Sequence, residues 1–245
     1  MTDEGEVRVE RDGAVVWLTL DRPAQRNALS EPMRRGLRSA LREADRDPDV
    51  AVVVLTGTDP AFSAGVDLKE GLQGKPSSRE FPDPTQVLRA VRVPVIAAVN
   101  GPCYTGALEM ALSCSFLLAS ERATFADTHA QVGLMAGWGM SALLPRAVGV
   151  RMARQMMLTG EPITAGAALE SGLVNEVLPH GELLGRAAEV AGLIARAYPP
   201  AVRVTSQLLD DNDGAPLGQA LAAETDAKLR WRTDPAEIAR RFGRT

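Results

Sequence analysis

Two stretches, Phe62-Ser63-Ala64-Gly65-Val66-Asp67-Leu68 and Gly101-Pro102-Cys103-Tyr104-Thr105-Gly106-Ala107, share one design. Each comes after a continuous apolar run, Val50 to Leu55 for the first and Val95 to Val99 for the second. Such runs, rich in β-branched residues, predict strands buried on both faces. Each stretch is rich in small residues, which let a ligand approach backbone N–H groups closely. Each leads into a helical pattern, where unpaired N–H groups and the positive dipole end suit a developing negative charge. Either loop alone reads as an ordinary strand–helix turn. As a pair from neighbouring strands they suggest two N–H groups aimed at one oxygen, an oxyanion hole.

The chain around these loops reads as α/β. Ala14 to Leu20 predicts a strand, and Ser30 caps a helix carrying Met33, Leu37, Leu41 and Ala44 at helical spacing. Ser115 to Ala119 and Leu173 to Leu178 predict two further short strands. Residues 71–84 hold Gly, Pro and Ser with little periodicity and predict a mobile loop. Thr164 opens a short helix that stops at Gly172. Helices are expected from Glu182, Ala201, Leu217 and Pro235. Strand–turn–helix units thus come first and helices last, which suits packing of the C-terminal part on another subunit.

Composition narrows the chemistry. The 245 residues carry 27 Lys and Arg against 31 Asp and Glu, a net charge of −4. That balance argues against a nucleic-acid partner. No run approaches the ~18 apolar residues of a membrane span, and the polar start lacks a signal segment, so a cytoplasmic protein with no membrane partner is expected. The two His and two Cys do not lie at ligand spacing, so no metal site is expected. Gly137-Trp138-Gly139-Met140-Ser141-Ala142 fits GxGxxA, but no acidic residue follows at the spacing of a dinucleotide site. Ala61-Phe62-Ser63-Ala64-Gly65 lacks the first Gly of a nucleophile elbow. It follows a strand, however, so a serine hydrolase of Ser63 and His129 stays open.

Glu109 is the most informative single residue. It lies three positions after Gly106, one turn into the helix, among Leu108, Met110, Ala111 and Leu112. A carboxylate in such company is seldom buried without a partner or a task. Burial raises its pKa towards the range useful for proton transfer.

Both loops, at this separation, resemble the crotonase (enoyl-CoA hydratase/isomerase) superfamily. So do Arg22-Pro23 with Arg26-Asn27-Ala28-Leu29, and Phe125-Ala126-Asp127-Thr128-His129 with Gly137-Trp138-Gly139. The resemblance implies a crotonase-like spiral of ββα units over residues 1–190, and a C-terminal helical trimerisation region over 191–245. It implies an acyl-CoA thioester as substrate, a homotrimer or hexamer, and no cofactor beyond the CoA of the substrate. By the same resemblance the N–H groups of Ala64 and Gly106 form the oxyanion hole. Arg26, Ala28, Ser63, Asp67, Leu68, Tyr104, Thr105 and Thr128 border the substrate. The second loop departs from the family, with Thr105 and Ala107 where Gly is common, so Ala107 is expected to narrow the pocket and Tyr104 to bound the acyl chain. Family hydratases usually place a second glutamate where this chain has His129. The implied activity is hydration of a 2-enoyl-CoA with Glu109 as acid/base and His129 as its auxiliary. Alternatives are isomerisation by Glu109 alone, a non-catalytic acyl-CoA binder, and a thioesterase using Ser63.

Overall fold

The computed structural model describes residues 6–69, 83–232 and 234–242. The two predicted central strands are β3 (Val52–Gly57) and β4 (Val95–Val99), and they lie side by side and parallel. They sit in a six-stranded sheet of order β1-β2-β3-β4-β6-β9, formed with β1 (Glu6–Asp12), β2 (Val15–Asp21), β6 (Phe116–Ser120) and β9 (Glu176–Leu178). All neighbours are parallel except the edge pair of β1 and β2. A second, three-stranded sheet joins β5 (Cys103–Tyr104), β7 (Thr124–Ala126) and β8 (Ile163–Thr164).

Alternation along the strands explains why β3 and β4 are apolar throughout. Val53, Leu55, Ala97 and Val99 face one core, where α1 (Glu31–Arg46) contributes Met33, Leu37 and Leu41. Val52, Val54, Ile96 and Ala98 face the other, covered by Leu183, Ala187 and Ala191 of a later helix, Leu183–Arg196. Helices on both faces leave no polar face on these two strands. Ser30 caps α1 by accepting from the Met33 N–H, as the sequence predicts.

The predicted loop 71–84 lies outside the described residues as far as position 82. Its last two residues correct that reading: Asp83 caps α2 (Pro84–Ala90) by accepting from the Gln86 N–H, and Pro84 is the first helical residue. After α3 (Gly106–Leu112) comes a long element, α4 (Met140–Thr159), which breaks at Gly149, where φ is 76°. Thr164 caps α5 (Ala165–Glu170). Then follow α6 (Leu183–Arg196), α7 (Pro199–Asn212), α8 (Leu217–Arg230) and α9 (Pro235–Phe242). The expected boundary at 190/191 falls inside α6.

Arg203 ties the C-terminal helices to the segment that joins α1 to β3. The Arg203 guanidinium on α7 donates to the Asp45 carboxylate and carbonyl and to the carbonyls of Asp47 and Val50, all at 2.9–3.1 Å. Among the described residues no helix is long and apolar enough to cross a membrane.

Candidate active site

The two small-residue loops are stitched together by a short parallel bridge. Ser63 N–H donates to the Pro102 carbonyl and Tyr104 N–H to the Ser63 carbonyl, both at 3.1 Å. The loops touch so closely that a Cβ at Gly65, whose φ is +92°, would lie 1.9 Å from Thr105 Oγ1. Only glycine fits there.

This stitching decides which N–H groups are available, and it corrects the expected pair. The Ala64 N–H donates to the Arg26 carbonyl at 2.9 Å and is already engaged. The Val66 N–H has no acceptor among the described residues, because its neighbours Gly65 and Asp67 carry the pairing with Leu29. The Gly106 N–H, at the first position of α3, is likewise without an acceptor. The two residues are adjacent: a Cβ at Gly106 would sit 3.2 Å from Val66 Cγ2 and 2.9 Å from Trp138 Cζ3.

Beside them lies a cavity of about 220 Å³, lined by Ala64, Val66, Thr105, Glu109, His129 and Trp138, with Leu68, Thr128 and Met135 towards its rim. Glu109 is buried, 1% exposed, and its anchorage is specific. Oε1 accepts from the Trp138 N–H at 2.7 Å and the Met140 N–H at 3.0 Å. Met140 opens α4, so the positive end of that helix faces the carboxylate. Gly139 makes this turn possible at φ +124°. Burial pushes the Glu109 pKa up, and the two N–H bonds and His129 only partly pull it back.

His129 faces the other oxygen. Its Nε2 lies 4.0 Å from Glu109 Oε2, and its Nδ1 lies 2.5 Å from Asp127 Oδ1. Burial alone would lower the His129 pKa. The hydrogen bond and charge of Asp127, with the charge of Glu109, outweigh that and raise it.

The cavity takes in Leu68, Thr105, Thr128, Glu109 and His129 of the residues expected from sequence, and Ala64 as a wall. It leaves out the rest of the expected substrate border, for local reasons. Ser63 is fully buried, with Oγ donating to the Asn27 carbonyl at 2.7 Å and accepting from the Gly65 N–H. A hydroxyl so held is neither exposed nor bonded to His129, which overturns the Ser63 hydrolase reading. Asp67 pairs with Arg22 at 3.0 Å and accepts from the Lys69 N–H. The Tyr104 hydroxyl bonds Thr124 Oγ1 at 3.0 Å and does not border the cavity. Arg26 is exposed at φ +50°, and the Ala28 carbonyl accepts from Arg22. Ala107 is fully buried in the core and narrows nothing.

Sequence reasoning missed Val66, Trp138 and Asp127. The Trp138 signal was present in Gly137-Trp138-Gly139, and Asp127 stands two positions before His129. A larger groove of about 410 Å³ between α7 and α8, lined by Val204, Leu208 and Trp231, holds none of these groups.

Comparison with known proteins follows the same lines. Residues 10–232 match the enoyl-CoA hydratase/isomerase family. The chain is similar to a probable peroxisomal enoyl-CoA hydratase 1 of Arabidopsis thaliana, 35% identical, covering 91% of this chain and 85% of that protein. It is similar to a 2,3-dehydroadipyl-CoA hydratase of Escherichia coli, 36% identical over 89% of this chain and 87% of the relative. Among solved structures, an enoyl-CoA hydratase from Mycobacterium smegmatis is 46% identical, with TM-score 0.77, covering 92% of this chain and 97% of that one.

Proposed function

The chain belongs to the enoyl-CoA hydratase/isomerase family, and from that premise we propose that it adds water across the double bond of a 2-enoyl-CoA. The observation that carries this reading is the buried Glu109, held by two backbone N–H groups beside two unengaged N–H groups. The Val66 and Gly106 N–H groups receive the thioester oxygen. As hydroxide adds to C3, the π pair moves through C2 onto that oxygen, and the two donors stabilise the enolate. Losing one such donor typically costs about 3–4 kcal/mol of barrier. Glu109 takes the proton from the attacking water, and its raised pKa suits a base that must also release that proton.

The substrate brings its own CoA, so the reaction needs no further cofactor. Leu68, Thr128 and Met135 border the mouth of the cavity where the acyl-CoA enters. Exposed leucines on α7 and α8, Leu209, Leu217, Leu221 and Leu229, support association into a trimer or hexamer. Cys103 and Cys114 are free thiols, in keeping with a cytoplasmic protein.

The test is Glu109→Gln. The amide oxygen keeps both backbone bonds, so folding is preserved while the proton acceptor is lost. Turnover of a short 2-enoyl-CoA should fall by ~10²–10⁴-fold. Turnover within a few-fold of the parent refutes the assignment. Gain of the conjugated band from a 3-enoyl-CoA, without hydration, makes the enzyme an isomerase.

A further inference from the structure

We propose that His129 is the acid that delivers the proton to C2, and that Asp127 is the positioning residue that holds it in that role. This inference rests on the hydratase reading above and assigns its second proton-transfer group.

The geometry is that of a relay with one fixed end. Asp127 is 2% exposed and directly follows β7. One of its oxygens, Oδ1, accepts from the His129 backbone N–H at 3.2 Å and from the ring Nδ1 at 2.5 Å. Two bonds to one carboxylate oxygen fix both the backbone and the ring of His129. Nδ1 carries its proton towards Asp127, so Nε2 is the atom that points to the reacting space. There it stands 4.0 Å from Glu109 Oε2. That is too long for a direct hydrogen bond and fits a shared water. A water about 2.8 Å from each atom bridges them with an angle of roughly 90° at its oxygen.

The charged groups that face His129 are Asp127, from the turn after β7, and Glu109 from α3. Both carboxylates favour the imidazolium, in agreement with the raised pKa of His129. With His129 as imidazolium, its Nε2–H is the donor on one side of that space and Glu109 Oε2 the acceptor on the other.

The step balances. Glu109 Oε2 takes a proton from water, and the remaining hydroxide forms the C–O bond at C3. The π pair becomes the enolate held by Val66 and Gly106. The His129 Nε2–H bond breaks as the C2–H bond forms, with the electron pair returning to the ring. Glu109 is then protonated and His129 neutral. A proton passing from Oε2 to Nε2 through the next water resets both. No oxidant or further reactant is needed.

The experiment combines ring NMR with a pH profile. The chain has two histidines, so imidazole spectra show two rings, and the signal lost in His129→Gln identifies its ring. In the parent protein this ring should titrate above ~6.5, with Nδ1 protonated in the neutral form. In Asp127→Asn its pKa should drop by about 1 unit or more. The alkaline limb of kcat should move down by the same amount. KM should stay within about 3-fold, while kcat falls at least ~10-fold. His129→Glu should recover turnover relative to His129→Gln, because a carboxylic acid also donates.

An unshifted alkaline limb in Asp127→Asn, or a parent ring that titrates below ~6.5, overturns the proposal. The parent ring titration decides even if Asp127→Asn does not fold. If the parent adds no water to any 2-enoyl-CoA, the hydratase reading fails instead. If it does so and His129→Gln is as fast, only the relay fails.

Discussion

Gly65→Ala probes the contact on which the oxyanion site depends. The added Cβ would lie 1.9 Å from Thr105 Oγ1 and 2.8 Å from the Tyr104 carbonyl, against an ordinary contact of at least 3.4 Å. The two loops must therefore part by roughly 1.5 Å, or Thr105 must turn away. Turning is hindered, because Thr is branched at Cβ and its Oγ1 is bonded to the Tyr104 carbonyl at 2.8 Å. The Tyr104 carbonyl is backbone and cannot rotate aside. Overpacking of this kind costs about 1–3 kcal/mol, and Ala in a left-handed conformation adds roughly 1–2 kcal/mol. Displacing Val66 from Gly106 by about 1 Å should lower kcat about 10²-fold.

Thr105→Gly supplies the control. Thr105 itself sits at φ 52°, a strain of about 1–3 kcal/mol for a branched residue. Removing its side chain relieves that strain and clears the nearer of the two clashes. The flexibility of Gly opposes this by about 0.5–1 kcal/mol. The double variant should therefore be more stable than the sum of the singles, with a coupling of roughly 1–2 kcal/mol by denaturant unfolding. Its hydration rate should recover part of the loss. Additivity within about 0.5 kcal/mol, or a Gly65→Ala enzyme with parental kcat, refutes the account of the paired loops.

Three further outcomes follow from other contacts. Glu109→Ala leaves the Trp138 and Met140 N–H groups buried without an acceptor, so thermal unfolding should show a loss of about 1–3 kcal/mol per group that Glu109→Gln does not share. Arg203→Met removes four bonds from the Asp45–Val50 segment. It should cost ~3 kcal/mol and expose the region after α6 to limited proteolysis; unchanged cleavage would contradict the anchoring role. The raised pKa of His129 means that the folded state holds its proton more tightly. The stability that this adds is complete below ~6.5 and is lost as pH rises through the folded value. The difference in unfolding free energy between the parent and His129→Gln should therefore shrink from pH 6 to pH 9; a constant difference would show that His129 has no shifted proton.

Much of the fold was legible because burial on both sheet faces writes continuous apolar runs, as at Val52–Val54 and Ile96–Ala98. β1 was not legible. It is an edge strand whose Val7 and Val9 alternate with charges in Glu-Val-Arg-Val-Glu-Arg-Asp, and it reads as a polar terminus. α2 was hidden by the loop composition before it, although Asp83-Pro84 carried a cap signal. Glu109 was readable from its apolar company and its spacing from Gly106. The oxyanion partner was not, since Ala64 and Val66 are both small or apolar and flank the same glycine. Which N–H is free depends on pairing with Arg26 and Leu29, nearly forty residues away. Ser63 misled for the same reason: its hydroxyl is bound by Asn27, a contact no local pattern reveals. Asp127 gains its meaning only when the turn after β7 folds His129 back onto it.

The most direct measurement follows a short 2-enoyl-CoA by its conjugated thioester absorbance in deuterated water, with free thiol assayed in parallel. The band should decay with the parent enzyme, one deuteron should appear at C2 of a 3-hydroxyacyl-CoA, and no thiol should be released. A band that persists at saturating enzyme, or one that decays with stoichiometric release of free CoA, would contradict hydration.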